Sequence, residues 1–340
     1  MKRIISLFTA LAITAAFTGC GGASSLPSSG EAPVSSQTDV SSDAPAAPNF
    51  TVDKIGVTYV KSPLNVPSII EKEKGIFTEA FAEYGLSVDY SNLTAGPEQT
   101  QALASGDLQF LYAVGATSVI LSASNGADIK ILNTYSRSPE AFRLFAGKDG
   151  AITSAEQLKG KKIGGPKGTI LHELLIAYLA TADLTEADID FVSMGLPEAQ
   201  AALVGGSLDG ALLAGPSAYN MAKDGYQIVT TGEGFVDATI VVATSGSFYE
   251  KNPLLVNRFL EAQNTIAQYM ADHKQEILEI TAKETELSIE AVEEMFPMYD
   301  FNTEITAADI ASMKKTEQFM RDNAMIETPV DIDALILKVM

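Results

Sequence analysis

Apolar positions follow two rhythms along this chain. Between about residue 51 and residue 245, short apolar runs bounded by Gly, Pro and Asn alternate with stretches whose apolar residues recur every three or four positions. These are the marks of strands and of amphipathic helices. The first strand is expected over Thr51 to Val60, then a helix from Pro67 to Lys74 stopped by Gly75, a helix from Phe77 to Tyr84 stopped by Gly85, and a strand over Leu86 to Tyr90. A helix over 97–105, a strand over Leu108 to Tyr112, a helix over Ala116 to Ala123 and strands over Ile129 to Tyr135 and Phe142 to Ala146 follow. From Lys159 the alternation resumes, with strands near 162, 191, 211 and 227 and another over Thr239 to Thr244. Beyond that the pattern is almost wholly helical. Leu254, Leu255, Phe259, Ile266 and Met270 keep helical spacing behind Pro253, and Thr306 to Asp309 has the form of a capping box. Such alternation predicts an α/β fold of mostly parallel sheets flanked by helices on both faces.

Part of this pattern occurs twice. The segment from Pro97 to Leu108 realigns on Pro197 to Leu208 at an offset of 100, and with Gly115 matching Gly215 seven positions are identical. In both copies Pro suits the first helical turn and Gly the C-terminal stop, so each copy predicts a helix, a strand ending at the last glycine, and a second helix start. Two lobes of related build follow. Ligands of open α/β sheets bind beyond the carboxyl ends of strands, so facing lobes would form a cleft lined with helix N-termini.

The clearest candidate chemistry lies in Lys162 to Leu171. A short strand runs into the glycine-rich turn Gly165-Pro166-Lys167-Gly168-Thr169, and an apolar helical pattern follows. Unpaired N–H groups and the positive end of the helix dipole would favour an anion at Gly168, Thr169, Ile170 and Leu171. An ordinary strand-to-helix connection reads the same way. Lys167 could meet an anion or stay solvated, Thr169 could cap its own helix or donate to a ligand, and His172 fits a structural place on a leucine-rich helix. Glu98 and Glu198 are first-turn acids explained by the helix dipole.

These residues resemble a family. Lys167-Gly168-Thr169-Ile170-Leu171-His172, the upstream Leu158 to Lys162, the segment from Pro197 to Leu212 and the Gly115-Ala116-Thr117 loop are similar to periplasmic binding proteins of the sulfonate, nitrate and taurine type, within the superfamily of thiamine-pyrimidine-precursor binders. The resemblance covers roughly residues 52 to 270. It implies a two-lobe, type II periplasmic-binding-protein-like fold: lobe one at 51–146 and again at 243–340 with the C-terminal helices, lobe two at 147–242, and two chain crossings near Ala146 and Val242 acting as a hinge. It further implies an ABC importer with permease and ATPase partners, and a small anionic organic ligand bound without a cofactor or metal by a monomer. The expected contacts are Tyr59, Leu64 and Asn65 around the first loop, Gly115, Ala116 and Thr117, then Lys167 to Leu171, then Gly215 and Pro216. Many relatives carry an aspartate ahead of the proline where this chain has Ala214-Gly215-Pro216, which counts against ligands bearing an amine. Without tryptophan, a wall for an apolar tail would draw on Tyr59, Tyr112, Tyr135, Phe142 or Tyr219. A pyrimidine-precursor binder and an enzyme on the same fold are the alternatives.

Composition narrows the class. The 340 residues carry a formal charge of −20, which argues against nucleic acid or an anionic membrane surface as partner of the folded body. It does not exclude a small anion in a recessed cradle, because surface charges are screened beyond about 8–10 Å. One cysteine, Cys20, permits no disulfide within the chain, and His172 and His273 are the only histidines. No nucleophile elbow, phosphate loop or dinucleotide fingerprint occurs. At the N-terminus, Lys2 and Arg3 precede an apolar run from Ile4 to Phe17 that ends in Gly19-Cys20. This predicts a secretory signal over 1–19. It resembles a bacterial lipobox, implying lipidation of Cys20 and an outward-facing anchor on the cell membrane. The Ser-, Ala- and Pro-rich stretch to about residue 50 is expected to be a tether.

Overall fold

In the computed structural model, which describes residues 49–338, the first half runs β1 (Lys54–Thr58), α1 (Val66–Lys74), α2 (Ile76–Ala82), β2 (Ser87–Ser91), α3 (Gly96–Ser105), β3 (Leu111–Gly115), α4 (Ala116–Ser124), β4 (Lys130–Arg137) and β5 (Phe142–Ala146). It continues with β6 (Lys162–Gly165), α5 (Ile170–Ala180), β7 (Asp190–Ser193), α6 (Leu196–Val204), β8 (Gly210–Ala214), α7 (Gly215–Lys223), β9 (Gln227–Thr231) and β10 (Thr239–Thr244). The remainder is helical: α8 (Gly246–Lys251), α9 (Pro253–Asp272), α10 (Lys274–Thr285), α11 (Ile289–Met295), α12 (Ala307–Asp322) and α13 (Ile332–Leu335). The expected signal, Cys20 and the expected tether up to residue 48 lie outside the described residues.

The strands follow one plan twice. In the first set β2 pairs with β1 in parallel, β1 meets β3 through the parallel bridge Val57–Phe110, and β10 lies antiparallel between β3 and β4. The second sheet has the order β7-β6-β8-β5-β9, its first two pairings parallel and its last two antiparallel. The sheets are therefore mixed. The expected parallel character holds only for the strands joined by crossover helices, whereas β5 and β10 enter from the other half of the chain and run backwards.

Chain switching falls earlier than expected. β4 ends in the first set at Arg137 and β5 begins in the second sheet at Phe142; β9 ends at Thr231 and β10 starts back at Thr239. The two linking segments touch, because the Gly232 N–H donates to the Pro139 carbonyl at 3.1 Å.

Other expectations differ by small, explicable amounts. The strand expected over Leu108 to Tyr112 begins at Leu111, because the Leu108 N–H closes the end of α3 on the Ala102 carbonyl and those of Gln109 and Phe110 both bond Gly56. The repeat becomes α3-β3-α4 and α6-β8-α7, with Gly106 (φ 86°) and Gly206 (φ 71°) both left-handed just beyond the first helix of each copy, a conformation that costs glycine little.

The C-terminal helices pack mainly on the first half of the chain, α9 against α1 and α2, α10 against α1 and α12 against α4, while α11 also meets α7. Within α9, Leu255, Val256, Phe259, Ala262 and Ile266 are buried, and the Phe259 ring stacks on Phe110 with centroids 4.1 Å apart. The capping box at the start of α12 is complete, since the Asp309 carboxylate accepts the Thr306 N–H at 2.7 Å and the Thr306 hydroxyl accepts the Asp309 N–H at 3.2 Å. The same carboxylate accepts both donors of one edge of the Arg137 guanidinium of β4, Nε at 2.5 Å and Nη2 at 2.7 Å. That pairing, with the Thr306 bonds, outweighs burial and lowers the carboxyl to about 2.

Candidate functional site

Between the carboxyl ends of the two sets of strands lies a cleft of about 170 Å³. Five helices start at it: α3, α4 and their repeat counterparts α6 and α7, together with α5. None of the five has a side-chain cap; α1, α2, α9 and α10 lack one as well, and α8, α11, α12 and α13 are capped by Ser245, Ser288, Thr306 and Asp331, so what sets the cleft apart is that five uncapped starts meet there. Uncapped first-turn N–H groups and convergent positive dipole ends give a local excess of donors. Among the described residues, no charged side chain lines the cleft. Ser62, Thr94, Ser118, Thr169 and Ser217 contribute hydroxyl-bearing side chains, while Val60, Phe142, Ile170, Leu171, Leu196 and Ile240 form an apolar portion. Such a site suits a small solute with an anionic head and a short apolar body. A second ionised group would be buried unpaired at a cost of several kcal/mol.

The backbone is specialised here. Ala113 lines the cleft at φ 82°, in a bulge where Val241 faces Val114 and Val242 faces Tyr112, leaving Ala113 without a cross-strand partner. A left-handed alanine is strained, and bulges of this kind re-aim backbone beside functional sites.

Of the residues expected from sequence, Gly115, Thr169, Ile170 and Leu171 line the cleft. Gly168 sits one residue behind, its φ of 72° permitted by the missing Cβ and its carbonyl accepting from the Ser118 hydroxyl at 2.8 Å. Lys167 turns away, and its ammonium pairs with Glu186 at 2.7 Å. Glu186 also meets His172 Nε2 at 2.7 Å. His172 is thus a buried structural residue, held below its usual pKa by burial despite the carboxylate.

Tyr59 is also elsewhere, its hydroxyl donating to Glu284 at 2.8 Å. Leu64 is core, and Asn65 binds the Val60 and Ser62 carbonyls through its amide nitrogen, so the first loop reaches the cleft through Val60, Ser62 and Pro63 instead. Ala116 is buried, and the Thr117 hydroxyl donates to Glu173 at 2.5 Å rather than towards the cleft. Gly215 is a point of contact between the two halves, and Ser217 takes the lining place beyond Pro216. Of the candidate aromatic wall only Phe142 lines the cleft; Tyr112 and Tyr135 are core residues of the first half, and the Tyr219 hydroxyl bonds Glu294 at 3.0 Å. Thr94, Ala95, Gly96 and Gln99, and their counterparts Gly195, Leu196 and Pro197, line the cleft and were not among the expected contacts. Their signal was present, since Pro97 and Pro197 open the repeated helices.

The NMT1/THI5-like family profile matches residues 63–277, more than half of the chain. The chain belongs to this family. Among NMT1/THI5-like relatives, a Bacillus subtilis (strain 168) protein with the provisional name aliphatic sulfonates-binding protein is 27% identical over 83% of this chain and 85% of its own length. The taurine-binding periplasmic protein of Escherichia coli (strain K12) is 26% identical over 63% of this chain and 66% of its own length. The fold agrees with solved structures. The alkanesulfonate-binding protein SsuA of Xanthomonas axonopodis pv. citri, bound to MOPS, superposes with a TM-score of 0.76 at 19% identity, covering 84% of this chain and 98% of its own. The desulfurization enzyme DSZB shares the fold as well, with a TM-score of 0.64 at 18% identity over 84% of this chain and 96% of its own.

Proposed function

We propose that this chain is the solute-binding component of an ABC importer and captures a small organic anion, with a sulfonate-type head and a short apolar body, between two lobes that close over it. The observation that carries this reading is the convergence of five uncapped helix starts, drawn from both halves of the molecule, on a cleft with an apolar wall and, among the described residues, no charged lining. Relatives named for sulfonates and taurine support it. The lobes divide at 138–141 and 232–238, where the chain leaves one set of strands for the other, and these paired segments form the hinge. Export, lipid anchoring at Cys20, a monomeric state, delivery to a permease and ATPase, and a binding rather than catalytic role complete the reading.

Calorimetry with 1-propanesulfonate, taurine, nitrate and a neutral aminopyrimidine tests it. The simple alkanesulfonate should bind most tightly. Taurine should bind at least tenfold more weakly, since among the described residues no lining carboxylate meets its ammonium and an unpaired buried charge costs more than about 1.4 kcal/mol. Binding of the aminopyrimidine alone would overturn the reading in favour of a pyrimidine-precursor binder.

A further inference from the structure

The buried carboxyl of Glu173 is not accounted for by ligand capture. It lies on α5, in the half built on β6 to β9, yet both its oxygens are held by the other half: Oε2 accepts the Thr117 hydroxyl of α4 at 2.5 Å, and Oε1 accepts the Thr316 hydroxyl of α12 at 2.8 Å. The residue is 5% exposed. Among the described residues, no cation bonds it directly. The charged groups facing it are Asp237, on the returning hinge segment, and Lys315, beside Thr316 on α12; its neighbour His172 is turned to Glu186.

We propose that Glu173 is a latch that holds the lobes closed and makes closure of the cleft depend on pH. Separating the lobes would strip both threonines from the carboxyl and return it to water. Closing them dehydrates it, and that favours the protonated acid. Burial, opposed by the two hydroxyls, accordingly raises the closed-state carboxyl above its ordinary 4.5. Closure therefore takes up a proton. The latch is strongest below the ordinary carboxyl value and weakens as pH rises through the closed-state value, with a limit of one decade in the closed-to-open ratio per pH unit. Of the other contacts between the halves, Ser118 with the Gly168 carbonyl and Gly215 with Pro63 are neutral, and Glu294 of α11 takes Lys223 and the Tyr219 hydroxyl of α7, a pairing that lowers its carboxyl below 4.5 and raises the ammonium above 10.5, so both stay charged across the range tested and add no pH dependence there.

The inference rests on the closing-lobe reading but not on the ligand's identity, so its test omits ligand. Solution scattering of the mature chain is recorded between about pH 5 and pH 8, with circular dichroism confirming that each variant is folded. The parent's radius of gyration should increase as pH rises, and Glu173→Gln should flatten the profile. Thr316→Val, which leaves the cleft lining untouched, should enlarge the opening at high pH, because the ionised carboxylate loses a donor. A parent profile without pH dependence, or one that Glu173→Gln leaves unchanged, would overturn the proposal. Failure of 1-propanesulfonate to bind would overturn the solute assignment and leave this result standing.

Discussion

Gly215→Ala is the sharpest perturbation of the cleft. Gly215 opens α7 at φ 61°, and a Cβ there would lie 1.7 Å from the Pro63 carbonyl oxygen and 2.5 Å from its carbon. Cβ contacts below 3.0 Å are essentially never seen, so at least 1.3 Å of separation must open between the halves. Both partners are backbone, so no rotamer change can absorb it. Ala in the left-handed region also costs roughly 1–2 kcal/mol by itself. Gly225→Ala isolates that cost, because Gly225 has φ 82° with nothing within 4 Å of the new methyl. Both variants should lose similar thermal stability. Only Gly215→Ala should lose affinity for 1-propanesulfonate. Moving one wall by more than an ångström breaks charge-assisted bonds worth about 1.5–3 kcal/mol each, so two lost bonds imply on the order of a hundredfold or more. Calorimetry reads the affinity and solution scattering reads the ligand-induced contraction. If Gly215→Ala binds and contracts like Gly225→Ala, the apposition of Pro63 and Gly215 does not belong to the liganded state and the argument fails.

Two further outcomes follow from the geometry. Lys167→Ala should change sulfonate affinity by less than about threefold, because its exposed ion pair with Glu186 points away from the cleft; a tenfold loss in calorimetry would return the ammonium to the ligand. Asp309→Asn should remove about 2 kcal/mol of stability at neutral pH. The Asp309 carboxyl is lowered from 3.8 to about 2, so the parent's advantage is complete above about pH 4 and disappears as pH falls towards 2. Urea unfolding of parent and variant across that range should converge at the acid end, and parallel curves would refute the assignment.

Local pattern alone determined much of this protein. Strand and helix identity was legible because each element carries its own period and its own stop: Gly75 and Gly106 end helices in left-handed conformations that need no tertiary help, and Thr306 and Asp309 close a capping box within one turn. The helix starts that bring Gly115, Thr169, Ile170 and Leu171 to the cleft were legible for the same reason, since a strand ending in glycine before an apolar helix fixes where uncapped N–H groups must lie. Direction of pairing was not. Whether β10 runs with or against β3 depends on which half of the chain it returns from, and no residue of Thr239–Thr244 encodes that by itself.

Side-chain destinations were decided only by the tertiary structure. Lys167 looks like an anion ligand in sequence until Glu186, 19 positions away, captures it, and Thr117 looks like a donor to solute until Glu173, 56 positions away, accepts its hydroxyl. A lysine ammonium or a threonine hydroxyl can turn to any partner within reach, and which partner is within reach is set by how the two sheets face each other. A backbone N–H at a helix start has no such freedom, because the helix itself fixes its direction.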